Sequence, residues 1–172
     1  MITAQQLKKI YIFAATANIE KYLQYINEYT EQFEVNTPLR MSAFLAQIGH
    51  ESGQLRYVQE IASGKAYEGR KDLGNVFFGD GVRYKGRGLI QITGRANYQS
   101  LSNDLGVDFI NEPEKLQSPQ YAVLSAFWFW DKKNLNKWAD IPDFEKITRI
   151  INGGLNGYKD RLHLYELAKN TL

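Results

Sequence analysis

Thr37-Pro38-Leu39-Arg40-Met41-Ser42-Ala43-Phe44-Leu45-Ala46-Gln47-Ile48-Gly49-His50-Glu51-Ser52-Gly53 predicts one buried helix that ends in a carboxylate. Thr37 suits an N-cap and Pro38 the first helical position, where the missing N–H of proline costs nothing. Leu39, Met41, Ala43, Phe44, Leu45, Ala46 and Ile48 put apolar groups around most of the circumference, the pattern of a central helix covered on several sides. Gly53 is the expected left-handed stop, which leaves Glu51 in the last turn. A carboxyl group at the negative end of a helix dipole and beside an apolar core is favoured in its protonated form, the form a general acid needs. The same place also suits a carboxylate that only marks where the helix reaches water.

The chain has 172 residues, the size of one domain with a sizeable core. It contains no cysteine, which excludes disulfides, thiol nucleophiles and cysteine-bound metals. With only His50 and His163 available, no metal and no other cofactor is expected. Twenty-one basic against 19 acidic residues is too even a balance for a nucleic-acid binder, which needs a concentrated basic face. The apolar run Ile10 to Ala15 is too short for a secretory signal or a bilayer span. A soluble chain, cytoplasmic on synthesis and without stable membrane insertion, is the expectation.

Outward from the central helix, Thr3 caps a first helix from about Ala4 to Phe13, and a second runs from about Asn18 to Phe33. Tyr22, Tyr25 and Tyr29 stand at helical spacing there and read as packing residues. From Glu60 to Arg83 the periodicity is lost among Ser63, Gly64, Gly69, Gly74, Gly79 and Gly81, so a long irregular segment is expected, of a kind that tends to carry function. Leu89, Ile90 and Ile92 suggest a strand or extended piece, and Asn97 to Leu105 a helix. Ser118-Pro119 repeats the cap-then-proline signature before an aromatic-rich helix through Trp128 and Trp130. Two more helices follow, from about Phe144 to Ile151 and from about Lys159 to Lys169, separated by Asn152-Gly153-Gly154. No repeat or interdomain linker is present.

Gly86-Arg87-Gly88 lacks the third glycine and the strand of a nucleotide loop, and Ser52 lacks the strand-turn-helix elbow of a serine nucleophile. Carboxylate chemistry remains. Glu60, Glu68, Asp72 and Asp80 are the acidic groups downstream of Glu51, and two carboxylates across a groove make a glycoside hydrolase. Spacing alone does not choose the second one.

His50-Glu51-Ser52-Gly53, the stretch Leu55 to Glu60, the block Tyr84-Lys85-Gly86-Arg87-Gly88-Leu89-Ile90-Gln91-Ile92-Thr93-Gly94 on to Tyr98, and Ile151-Asn152-Gly153-Gly154 together resemble glycoside hydrolase family 19, the chitinase-like family, most closely its bacteriophage and prophage endolysin branch. The resemblance covers Val35 to Tyr165. It implies a mainly α, lysozyme-like, two-lobed fold with a central cleft and little or no β structure, here as a single catalytic domain over 1–172 without a separate wall-binding domain. Position by position it implies Glu51 as general acid, Glu60 as general base with Glu68 in reserve, and Thr93 as the hydroxyl that helps hold the attacking water. Gln91, Asn97 and Asn152 match cleft residues, and Arg161 matches an arginine near the acid and base. Tyr84, Lys85 and Arg87 are read as contacts to sugar or to peptide carboxylates, and His50 as structural support behind Glu51.

The lack of cysteine and the compact length depart from the plant chitinase pattern and favour peptidoglycan over chitin. The implied activity is therefore inverting cleavage of β-1,4 bonds in cell-wall glycan by a monomer that depends on a holin for release. The competing readings are a chitinase, a lytic transglycosylase with a single acid, and an inactive cell-wall-binding module.

Overall fold

The helix Pro38–Glu51 forms over the whole predicted span, with the Thr37 hydroxyl accepting from Arg40 N–H at 3.3 Å and Ser52 closing the last turn. In chain order the computed structural model, which describes residues 1–172, has α1 (Ala4–Ile10), α2 (Thr16–Gln32), α3 (Pro38–Glu51), α4 (Asp80–Arg83), α5 (Arg95–Leu105), α6 (Pro119–Lys132), α7 (Asn136–Asp140), α8 (Phe144–Asn152) and α9 (Tyr158–Lys169). Short 3₁₀ turns occupy Lys65–Tyr67, Lys71–Leu73 and Pro113–Gln117. No helix is long and apolar enough to cross a membrane.

Two apolar cores make two lobes. The larger gathers side chains from α1, α2, α3 and α6 to α9, with α3 laid along α9 and α2 along α6. At its centre Phe44 packs on Phe127 with ring centroids 4.2 Å apart and meets Trp130 edge-on at 5.4 Å. Gly49 on α3 is required by closeness: a Cβ there would stand 2.5 Å from the Tyr11 ring, whose hydroxyl donates to Leu45 O. The smaller core comprises Tyr84, Ile92, Tyr98, Leu101, Phe109, Leu116 and Trp128. Helix α6 serves both lobes, because Phe127 and Trp130 point one way and Trp128 the other.

The elements depart from the sequence pattern in four places. Helix α1 stops at Ile10 rather than Phe13, and the Phe13 N–H goes instead to Gln54 Oε1 at 2.9 Å. The Ser118 hydroxyl is buried and makes no cap bond, so Pro119 opens α6 without it. Helix α7 is an extra element, tied down by Asn136, which accepts from the Trp130 indole and donates to Phe33 O. The Leu89 to Ile92 run is not a strand but a tight turn, and β structure is confined to the isolated bridges Gln59–Arg87 and Arg87–Ile92.

The segment 60–83, expected to be irregular, contains two 3₁₀ turns and the short α4 and is held together by polar ties. Asp80, nearly buried, accepts from Arg95 Nε and Nη2 at 2.8 and 2.6 Å and from Phe77 N–H at 3.0 Å. The Arg95 guanidinium, with the Phe77 amide assisting, holds the Asp80 carboxyl below the usual carboxylate range against the opposing effect of burial. A depressed folded value means that the unfolded chain takes up the proton first, so this contribution is fully present above about pH 4 and lost as pH falls through the folded value. Asp80→Asn is therefore expected to lower the denaturation midpoint at pH 7 and to flatten the acid limb of the stability profile. Urea titrations at pH 7 and pH 3 check it, and equal destabilisation at both would refute the coupling.

Candidate active site

Glu51, last residue of α3, keeps its side chain 23 % exposed, and its Oε1 accepts from Arg161 Nη2 at 2.6 Å. Arg161 stands in the first turn of α9 and is 2 % exposed. Its other N–H groups go to Gln47 Oε1 at 2.5 Å and to Asn156 O at 3.2 Å. Gln47 in turn donates to Thr148 Oγ1 at 2.9 Å, and Thr148 donates to Phe144 O. A chain of buried hydrogen bonds thus locks one carboxyl oxygen of Glu51. A guanidinium has no acceptor, so any proton carried by Glu51 sits on Oε2. His50 adjoins this array from the far side, with Nδ1 2.6 Å from Asp160 Oδ2, and its ring fills the space where a Cβ of Gly157 would stand.

After Glu51 the chain turns sharply. Gly53, Gln54 and Leu55 are consecutively left-handed, at φ 57°, 57° and 67°. Glycine takes this conformation freely, whereas the two L side chains do so at a cost of about 1 kcal/mol each. Ser52, whose hydroxyl accepts from Leu55 N–H at 2.8 Å, and the burial of the Leu55 side chain hold the turn. The chain then pairs with the segment 86–88: Gly88 N–H donates to Val58 O, and Glu60 N–H to Gly86 O. The Glu60 carboxylate closes back on the same place, with Oε1 accepting from Gly86 N–H at 3.0 Å and Oε2 from the Tyr67 hydroxyl at 2.8 Å. That bond, with burial, raises the Tyr67 phenol above its ordinary value, so it stays a donor at neutral pH.

Gly86 gathers the remaining groups. A Cβ there would lie 3.1 Å from Gln91 Oε1 and 3.2 Å from Thr93 Oγ1, which puts Glu60, Gln91 and Thr93 around one glycine. The Thr93 hydroxyl donates to Gln91 O at 3.2 Å, and Asn97 donates to Thr93 O at 2.7 Å. Asn152, last residue of α8, has a buried Nδ2 without a partner inside the protein. Lys85 is partly exposed and reaches Ala62 O at 3.4 Å.

Three of the sequence readings change. Tyr84 is 1 % exposed, donates to Ile110 O and packs on Tyr98, so it is a core residue of the small lobe and not a substrate contact. Arg87 is equally buried, spending Nη1 on Arg83 O and the Tyr98 hydroxyl. Glu68 accepts from Gly79 N–H at 2.6 Å and Gly81 N–H at 2.9 Å, so it caps the first turn of α4 and shares no partner with the Gly86 cluster. Tyr67, Gln47 and Thr148 escape sequence reading, since nothing local marks a partner for any of them. No group of three or more His, Asp and Glu side chains is arranged to hold a metal ion.

The sequence profile described as Chitinase class I, of glycoside hydrolase family 19, matches residues 8–140. A Haemophilus influenzae protein described as a glycosyl hydrolase family 19 domain-containing protein is 32 % identical over 203 residues, covering 99 % of this chain and 97 % of that one. The chain belongs to glycoside hydrolase family 19. Within the family it is 40 % identical over 116 residues to Endochitinase At2g43620 of Arabidopsis thaliana, and it spans about two-fifths of that enzyme's length (39 %). Among solved structures, chitinase C from Streptomyces griseus superposes with a TM-score of 0.79 at 20 % identity, covering 99 % of this chain and 91 % of the other. The class IV chitinase from Zea mays gives 0.76 at 23 %, covering 99 % and 92 %. The fold is the mainly helical, lysozyme-like fold of these family 19 enzymes, and the protein is a chitinase-like glycoside hydrolase.

Proposed function

We propose that the protein hydrolyses β-1,4 bonds in the glycan strands of bacterial cell wall with inversion at the anomeric carbon. The observation that carries the mechanism is the unequal treatment of two carboxylates on either side of the strained turn at 53–55: Glu51 has one oxygen locked and one open, whereas Glu60 has both oxygens aligned by neutral donors. Glu51 Oε2 gives its proton to the glycosidic oxygen as that bond breaks. Glu60 takes a proton from water as the water oxygen attacks the anomeric carbon from the opposite face. The Thr93 hydroxyl, its own proton engaged by Gln91 O, offers lone pairs to the second water proton. Gln91 and Asn97 supply hydrogen bonds to N-acetyl and hydroxyl groups, with Asn152 the third amide that the family resemblance assigns to the cleft. Both carboxylates are in place, which argues against an inactive wall-binding module. Delivery of a monomer from the cytoplasm through a membrane pore made by a separate protein belongs to the same proposal.

Wall glycan is favoured by the absence of the cysteines of the plant enzymes and by a bacterial relative matched over nearly its whole length. Chitin is the second reading, favoured by the relatives described as endochitinases. Digesting purified peptidoglycan and chitin oligomers side by side, with product ends identified by mass spectrometry, tests both. Reducing hydrolytic ends from peptidoglycan support the proposal, whereas activity on chitin oligomers alone sinks it. In the same assay Glu60→Gln is expected to lower turnover about 10²-fold, and Glu68→Gln to leave it within about two-fold. Anhydro ends, with Glu60→Gln fully active, would make the enzyme a lytic transglycosylase.

A further inference from the structure

An open groove of about 320 Å³, at the lower end of the range for small-ligand sites, shares Asn97 with the candidate site. Asn97 on α5, Ile150 and Ile151 on α8, and Trp128, Lys132 and Lys133 at the end of α6 line it. Asn97 is bonded to Thr93 O, and Ile151 directly precedes Asn152, so the groove adjoins the candidate site.

The two lysines are not equivalent. Lys132 ion-pairs with Asp104 at 2.9 Å, and Asp104 also accepts from the Trp128 indole, so that charge is neutralised in place. Lys133 has no carboxylate at ion-pair distance and rests over the Phe129 ring, 5.7 Å from its centroid. Asp131, the nearest acid along the chain, stands two positions earlier and so on a different side of the helix. The groove thus presents an apolar wall, the amide of Asn97 and one uncompensated cation. An uncharged N-acetylglucosamine polymer offers that cation hydrogen-bond acceptors but no counter-charge. A wall glycan carries a lactyl ether on every second sugar, ending in a carboxylate or extended by a peptide that bears one.

We propose that Lys133, with Asn97 and the Ile150–Ile151 wall, forms a subsite for the carboxylate-bearing substituent of an acidic N-acetylhexosamine polymer and thereby discriminates it from chitin. The proposal rests on the wall-glycan reading above and names the residue that gives it selectivity. A lysine at a helix C-terminus also complements the helix dipole, but that role affects stability and not selectivity by substrate charge.

The test uses soluble glycan strands from one peptidoglycan preparation, half with free carboxylates and half with them converted to neutral amides by carbodiimide coupling. The readout is the ratio of KM on the amidated strands to KM on the free strands. Lys133→Gln is expected to reduce this ratio about five-fold and Lys133→Glu further, the effect shrinking at high ionic strength. Lys133→Arg should keep it, as should Lys137→Gln, which makes the same charge change on α7 outside the groove. An unchanged ratio in both Lys133→Gln and Lys133→Glu, or an equal fall in Lys137→Gln, overturns the subsite. Failure of the underlying reading looks different: the wild type then cleaves neither strand preparation while acting on chitin oligomers.

Discussion

Glu51→Gln is expected to lower turnover by about 10³-fold while the protein stays folded, the largest catalytic effect of any single substitution here. The replacement is nearly isosteric. Its amide oxygen still accepts from Arg161 Nη2, so Gln47, Thr148 and Asn156 keep their partners. What disappears is a group that can hold and release a proton on Oε2 and that, in its ionised form, carries the charge opposite a buried guanidinium. Loss of that charge weakens one charge-assisted hydrogen bond, worth about 1–2 kcal/mol, which in a chain of this size moves the melting midpoint by about 2–8 °C. Activity and stability therefore separate: product formation falls a thousandfold with circular dichroism unchanged at 25 °C and KM little altered. Full activity in the folded variant would remove Glu51 from the mechanism. Loss of activity together with loss of helical signal would show that the carboxylate serves the fold first.

Helix α3 was legible because everything that makes it is local. Its cap, its first-turn proline, its all-round apolar surface and its glycine stop fall within one stretch from Thr37 to Gly53. The site was legible only as far as its motif residues. Arg161 is 110 positions from Glu51, and Thr148 101 from Gln47, so the lock on the acid exists only once α3 and α9 pack together. Tyr67 reaches Glu60 across seven residues of a segment with no periodicity, held there by Asn75, which bonds both Tyr67 O and Arg95 N–H. Tyr84 shows the converse. A tyrosine beside glycines and cations reads as a contact to sugar or to peptide carboxylates, and only the presence of Ile110 O within reach of its hydroxyl reveals a core residue. Glu68 and Glu60 look alike as letters; they differ in whether the backbone amides they find belong to the start of α4 or to the Gly86 turn.

Arg161→Met is expected to be the most destabilising of these changes, at about 3 kcal/mol, or about 6–12 °C in melting midpoint. Methionine fills much of the volume but donates nothing. Gln47 Oε1, wholly buried, is left without its 2.5 Å donor, and Glu51, when ionised, is left without its counter-charge. Breaking a buried pair by removing one partner costs about 3–5 kcal/mol; the partial exposure of Glu51 puts this case at the lower end, since water can reach one oxygen. Arg161→Lys keeps the charge but not the planar fork, so it should hold Glu51 while abandoning Gln47 or Asn156, and fall between wild type and Arg161→Met. A double-mutant cycle isolates the charge interaction. With Glu51→Gln already present there is no anion to strand, and the added cost of Arg161→Met should drop by about 1–2 kcal/mol in urea denaturation at pH 7. Strict additivity would mean that Arg161 stabilises the protein through Gln47 and Asn156 alone, and that its contact with the acid positions the carboxyl without strengthening the fold.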